Sequence, residues 1–115
     1  MEKVFLKECF LTDIIKYDAL SAWGQLQIGT ELKLESETVL YNSSKKCIFA
    51  NKHEEAGGVK KIGVLTEEDA MMMDQIISMG WNDVFLCYVS QVDDEAINDQ
   101  RIKVAIYIKR NQNNS

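Results

Sequence analysis

The segment Ile28-Gly29-Thr30-Glu31-Leu32-Lys33-Leu34 decides the fold together with a second one, Lys60-Lys61-Ile62-Gly63-Val64-Leu65. Both have the residue types of a β-strand, and each contains one glycine where the backbone must turn or pack closely. Between them the chain ends a polar stretch with the apolar run Cys47-Ile48-Phe49-Ala50, which predicts another strand at residues 46–51. This order of segments indicates a β-rich domain.

Three more strands are predicted outside this region. The apolar residues of segment 4–11 are more continuous than alternating, which indicates a strand buried on both faces. Residues 84–92 and 101–109 predict a long hairpin, because the second arm alternates apolar residues with Lys103, Tyr107 and Lys109. The stretches between the strands, residues 12–27, 37–46 and 53–58, are predicted as irregular or polar loops.

One helix is well marked by its ends. Thr66 is a favourable N-cap, and three acidic residues follow it near the positive end of the helix dipole. Ala70, Met73 and the pair Ile76-Ile77 recur at helical spacing and predict one buried face. Gly80 is a natural stop for the helix.

Composition predicts one small domain. A chain of 115 residues, 46% of them apolar, is long enough for a single core. We expect the domain to span residues 1–110, followed by a disordered polar tail at 111–115. No apolar run reaches the about 20 residues of a membrane span, and no secretory leader is evident, so we expect a cytoplasmic protein with no membrane partner. Cys9, Cys47 and Cys87 lack metal-site spacing, which favours reduced packing thiols.

The strand–glycine pattern resembles the HIRAN domain, a small β-barrel that occurs on DNA-repair helicases or alone in bacteria. The family's Gly-x-x-Leu-x-Leu strand is matched at residues 29–34, and its Ile-Gly strand feeding a helix is matched at Ile62-Gly63. The family's Tyr-Asp pair in the intervening loop falls at Ser43 and Ser44. The resemblance implies a mostly β fold with one main helix, a six-stranded barrel related to the OB-fold.

The same resemblance implies binding of single-stranded DNA or its 3′ end, in DNA repair or processing. Lys16 and Tyr17 match the basic and aromatic types that hold a strand end in the family, and Tyr41, Ser44 and Lys46 complete the candidate site. Stacking on aromatic rings and contacts from lysine to phosphate are the usual chemistry of such sites. The alternative is structural: Tyr17 caps the barrel, Tyr41 packs on it, and Lys16 is solvated.

Charge argues against nucleic acid. The net charge is −5, whereas most nucleic-acid binders present a basic face. Lys45, Lys46, Lys60 and Lys61 are the local basic cluster, although Lys60 and Lys61 are adjacent on a strand and point to opposite faces.

No catalytic residues, metal site or cofactor are predicted. The chain has one histidine, His53, beside Glu54 and Glu55, and a metal site needs three or four converging ligands. We interpret this run as a solvated turn. No nucleophile–histidine arrangement and no phosphate loop are recognisable.

A different class of function is a protein-interaction module that has lost DNA binding. Met71, Met72 and Met73 are consecutive on the predicted helix, so at least one of them must be partly exposed. The helix would then contact a protein partner or a second copy in a homodimer. The alternative is that methionine fills an irregular core.

Overall fold

A computed structural model describes residues 3–40, 44–79 and 84–109. The six strands in these residues are β1 Lys3–Phe10, β2 Glu31–Leu40, β3 Ser44–His53, β4 Val59–Val64, β5 Phe85–Val92 and β6 Ile102–Lys109. The helix α1 is Glu67–Ile77, and short 3-10 turns lie at Trp23–Gln25 and Asn98–Gln100. The predicted tail at 111–115 and the helix stop at Gly80 lie outside the described residues.

The six strands form one antiparallel sheet in the order β1-β6-β5-β2-β3-β4. This confirms a mostly β fold with one main helix. The predicted hairpin is the β5–β6 pair, with Val92 opposite Ile102 and Phe85 opposite Ile108.

The sheet curls on itself but is not closed by a continuous ladder. In the described chain, the edge strand β4 meets the segment that follows β1 at a single bridge between Thr12 and Val64. Their backbones exchange two hydrogen bonds, of 2.9 and 3.1 Å. The expected barrel is therefore a six-stranded sheet whose two edges touch at one point.

The prediction of a polar loop at residues 37–46 was wrong. β2 continues to Leu40 and β3 begins at Ser44, and Glu37 pairs with Cys47 in an unbroken register. Polar side chains on a solvated face do not prevent strand pairing, because the backbone ladder and cross-strand neighbours decide it.

The expectation that β1 is buried on both faces was also wrong. β1 pairs with β6 alone, has an irregularity between Phe5 and Lys7, and leaves Val4 70% and Phe5 55% exposed. Its apolar composition therefore does not report burial, and its outer face presents the exposed Phe5 beside the charged Lys3 and Glu8.

The main core lies inside the curl of the sheet. β6 contributes Ile102, Val104 and Ile106, β5 contributes Cys87 and Val89, and the segment after β1 adds further apolar side chains. The sequence predicted that all three cysteines are reduced packing residues. All three are free thiols, but only Cys9 and Cys87 are buried, and Cys47 is half-buried.

Both predicted glycines have the roles that the sequence assigned to them. Gly29 has φ +96°, a conformation that favours glycine in the turn before β2. At Gly63 a Cβ atom would lie 3.0 Å from Leu11 Cβ and 3.1 Å from both Ile14 Cγ2 and Thr12 O. Gly63 therefore lets the segment after β1 cross β4 closely enough to form the Thr12–Val64 bridge.

α1 begins as predicted. The Thr66 hydroxyl accepts a hydrogen bond from the Asp69 backbone N–H and donates one to Asp69 Oδ2. Asp69 is buried and forms an ion pair with Lys7 of β1, which anchors the helix to the sheet edge. No helix in the described part of the chain is long and apolar enough to cross a membrane.

Candidate nucleic-acid interface

Lys16 and Tyr17 lie in the segment that crosses β4. Asp18 fastens this segment, since its backbone N–H donates to Lys61 O at 2.7 Å and its Oδ2 accepts from Lys61 N–H at 2.9 Å. Two hydrogen bonds to one strand residue fix the backbone position of the neighbouring Tyr17. The pair is therefore presented on the outer face of the β3–β4 half of the sheet.

The Tyr17 ring is held at an edge-to-face contact with Phe49 of β3. Their centroids are 5.1 Å apart, and the ring planes are inclined at 88°. Phe49 is fully buried, whereas Tyr17 is half-buried, so part of the Tyr17 ring remains accessible. The Lys16 ammonium lies 5.9 Å from the Tyr17 centroid, within the range of a cation–π contact. The basic and aromatic groups are thus neighbours in space as well as in sequence.

Lys61 of β4 also contacts the Phe49 ring. Its ammonium is 4.5 Å from the Phe49 centroid and donates to Glu37 Oε1 at 2.6 Å. This ion pair offsets the charge of Lys61 and reduces the attraction that it exerts on a phosphate.

Lys46 does not join this group. It lies three residues before Phe49 in an unbroken register, so its side chain projects from the opposite face of β3. The Lys46 ammonium is 3.4 Å from Asp74 of α1. It lines a cleft of about 230 Å³ at the start of α1, together with the acidic residues Asp13 and Glu67. The predicted site is therefore divided between two surfaces.

Two further residues of the predicted site, Tyr41 and Ser44, belong to the connection between β2 and β3 or to the strand that follows it. Tyr41 lies outside the described residues, and Ser44 is the first residue of β3, opposite Leu40. Lys60 follows Val59 on β4 and pairs with Lys52, so it is not adjacent to Lys46 in the sheet.

The start of α1 is occupied by carboxylates of the chain itself. Glu67, Glu68 and Asp69 fill the first turn, and Asp69 takes the ion pair from Lys7. The hydrogen bond that the Lys7 ammonium donates to Asp69 raises the pKa of Lys7. A helix N-terminus attracts anions, but these three acidic side chains oppose the approach of an external phosphate.

His53 is part of β3 and not of a solvated turn, which corrects the sequence interpretation. Its Nε2 lies 2.8 Å from Glu35 Oε1, and Asn51 Nδ2 donates to the same oxygen at 2.8 Å. Partial burial raises the pKa of Glu35, but the hydrogen bonds from Asn51 and His53 outweigh it, so the pKa lies below its usual value. The described residues contain no group of three or more His, Cys, Asp or Glu side chains able to hold a metal ion.

A second basic and aromatic surface was missed by the sequence interpretation. It lies on the outer face of β1, β6 and β5, where Phe5, Tyr107 and Tyr88 form a row of rings. The period-2 alternation of β6 already placed Lys103, Tyr107 and Lys109 on one face. No local pattern in the sequence indicates that β1 and β5 flank β6 and complete the row.

Searches with this chain found no matching protein-family model, no matching curated protein and no matching solved structure.

Proposed function

We propose that this protein is a non-catalytic binding module for single-stranded nucleic acid, with single-stranded DNA as the ligand suggested by the HIRAN resemblance. The observation that carries the proposal is the Lys16–Tyr17 pair. Its ring is oriented by Phe49, its backbone is fixed by Asp18, and its ammonium lies beside the accessible ring.

Each group has a defined role in this proposal. The exposed part of the Tyr17 ring stacks on a base, and Lys16 contacts a neighbouring phosphate. Stacking of one base on an aromatic side chain contributes about 1–3 kcal/mol, independently of base identity. The chain carries a net charge of −5, so its overall field opposes the strand, and the one phosphate contact of Lys16 gives affinity only a shallow dependence on salt.

Recognition of a 3′ end, and a role in DNA repair or processing, are finer proposals that rest on the resemblance alone. They would place the terminal nucleotide near the β2–β3 hairpin, which contains Tyr41 and Ser44, with Lys46 on the adjoining cleft. The acidic residues of that cleft weigh against tight binding of a terminal phosphate and are compatible with a free hydroxyl.

The test is fluorescence anisotropy with a labelled 12-nucleotide single strand carrying either a 3′-hydroxyl or a 3′-phosphate. Tyr17→Leu removes the ring but keeps apolar packing on Phe49, and Tyr17→Phe is the matched control that keeps the ring. We expect Tyr17→Leu to weaken binding by about 5-fold or more and Tyr17→Phe to bind like the wild type, as loss of one stacking ring implies.

Equal affinity of the Tyr17→Leu variant and the wild type would contradict the assigned site. A preference of the wild type for the 3′-hydroxyl supports end recognition. Equal binding to the two oligonucleotides would mean that the protein contacts only the backbone and the bases.

A protein-interaction module is the second candidate, and one observation favours it. Met71 and Met72 are 64% and 39% exposed on α1, whereas Met73 is fully buried, so two flexible apolar side chains face solvent. If this surface forms a homodimer, Met71→Lys will shift the protein toward the monomer in sedimentation velocity. A wild type that is already monomeric at high concentration contradicts the homodimer.

A further inference from the structure

The outer face of β1, β6 and β5 carries three aromatic rings in a row. Phe5 of β1 and Tyr107 of β6 are direct cross-strand partners with centroids 5.6 Å apart, and Tyr107 lies 5.9 Å from Tyr88 of β5. Their neighbours Ile106 and Cys87 point into the core, so the rings project outward by strand alternation. Phe5 is 55% exposed, and both tyrosines are half-buried.

Lysines surround this row. The Lys3 ammonium lies 4.8 Å from the centroids of both Tyr88 and Tyr107, and Lys109 is the cross-strand partner of Lys3. Further along the same face, the Lys103 ammonium lies 4.8 Å from the Phe10 centroid and 3.9 Å from Glu8. The face is thus locally basic in a chain whose net charge is −5.

We propose that this face is a stacking platform for single-stranded nucleic acid, separate from the Lys16–Tyr17 site. Bases stack on Phe5 and Tyr107, and Lys3 and Lys109 contact the phosphates on either side. Rings on neighbouring strands suit successive bases because a base has an apolar face of similar size to an aromatic side chain.

The chemistry favours a nucleic acid over a protein partner on this surface. The Lys3 ammonium lies over two of the three rings, and Lys109 is its cross-strand partner, whereas Glu31 lies opposite Tyr88 at the far edge of the row. The lysine end of the row therefore suits a polymer that carries one negative charge for each stacking unit. The ammonium of Lys3 rests on two rings, and such a cation–π contact at an exposed site is weaker than base stacking. A bound nucleic acid therefore displaces the Lys3 side chain from the rings, and Lys3 then contacts a phosphate.

The inference goes beyond the proposed function because it concerns different residues on the other half of the sheet. β2 separates β5 from β3 in the strand order, and the Lys16–Tyr17 segment lies on β3 and β4. An experiment can therefore contradict nucleic-acid binding at one of the two surfaces without contradicting it at the other.

The experiment is anisotropy with a fluorescein-labelled 12-nucleotide oligothymidylate in 20 mM and 150 mM NaCl. The ring variants are Phe5→Ser and Tyr107→Thr. Tyr107→Phe keeps the ring, and Val4→Ser removes an exposed apolar side chain from the same strand without touching the row. Circular dichroism and cooperative urea unfolding verify that each variant is folded.

We expect about a 5-fold or greater loss of affinity for each ring variant, and affinities close to the wild type for Tyr107→Phe and Val4→Ser. Lys3→Gln lowers the slope of log affinity against log salt by about 0.7, the value for one phosphate contact on a single strand. Lys52→Gln on β3, where the wild-type lysine is ion-paired with Glu54, has the same change of charge and leaves the slope unaltered.

Each outcome is decisive. Loss of binding in the folded ring variants while Tyr17→Leu binds normally supports the platform and overturns the Lys16–Tyr17 site. Loss in Tyr17→Leu alone overturns the platform. No binding by the wild type in 20 mM NaCl overturns both and leaves this face to a protein partner.

Discussion

Gly63 shows how one residue controls the closure of this fold. A Cβ atom at this position would lie 3.0 to 3.1 Å from atoms of Leu11, Thr12 and Ile14. All three belong to the segment that leaves β1 and crosses β4. A side chain at position 63 therefore pushes this segment away from β4 and strains the Thr12–Val64 bridge.

Gly63→Ala is expected to destabilise the protein by about 1–3 kcal/mol, the usual cost of an extra methyl group in a well-packed site. The control is Gly24→Ala, because a Cβ at Gly24 meets nothing within 4 Å. Urea unfolding monitored by tryptophan fluorescence gives both free energies. Equal stability of Gly63→Ala and the wild type would show that the crossing segment is loosely packed.

Glu35 links stability to pH. Its pKa in the folded protein is below the usual value because the hydrogen bonds from Asn51 and His53 outweigh the effect of partial burial. A lowered folded-state pKa means that the ionised group stabilises the fold above its unfolded-state pKa, and that this stabilisation is lost as pH falls through the folded-state pKa.

Glu35→Gln should therefore lower the urea midpoint at pH 7 and have a smaller effect at pH 3, because the stabilisation by the carboxylate is lost as the pH falls through its folded-state pKa. Glu55→Gln, an exposed residue in the turn after β3, is the matched control. A Glu35→Gln effect that is equal at both pH values would contradict the linkage.

The helix is joined to the sheet edge by an ion pair between elements far apart in the sequence. Asp69 of α1 is buried and bonded to Lys7 of β1 and to Thr66. It also raises the pKa of the neighbouring Cys9 thiol to about 12, although burial of the thiol is the larger cause. α1 thus depends on β1 for the partner of its buried carboxylate.

Lys7→Met is expected to destabilise the protein by about 1–3 kcal/mol, because Asp69 would keep its burial but lose its charged partner. Lys33→Met on the exposed face of β2 is the control and should have little effect. The double variant Lys7→Met/Asp69→Asn should recover part of the loss in thermal unfolding. No recovery would mean that Lys7 acts through packing of its stem.

At the scale of the whole molecule, the core is contributed by both ends of the chain. β1 and β6 form one ladder, and Cys9 of β1 and Cys87 of β5 belong to the same buried cluster. Burial raises the pKa of the Cys87 thiol as it does that of Cys9. Because the thiolate is the reactive form, both thiols should be inert in the folded protein.

Thiol labelling tests whether the two buried thiols become accessible only when the whole domain unfolds. At pH 8, Cys47 should react first with an excess of iodoacetamide, and Cys9 and Cys87 should react together at the rate of global unfolding. Mass spectrometry of tryptic peptides assigns each site. Early and independent labelling of Cys9 would show that the β1 edge opens separately from the rest of the sheet.

The sequence by itself determined the local elements. Alternation in β6, the apolar run of β3, the cap at Thr66 and the glycines at 29 and 63 depend on interactions within a few residues, so local pattern is enough to find them. The family resemblance, rather than local pattern, singled out Lys16 and Tyr17 as a basic and aromatic pair, and the two side chains are neighbours in the structure.

The tertiary structure alone decided the strand order, the exposure of β1 and the contents of each surface. Phe5, Tyr88 and Tyr107 meet only because β6 pairs with β1 and β5, and Lys46 leaves the Tyr17 surface because strand alternation turns it toward Asp74. These outcomes depend on register between distant segments, and a shift of one residue moves every side chain to the other face. No local pattern contains that register, so the two candidate binding surfaces exist only in the folded chain.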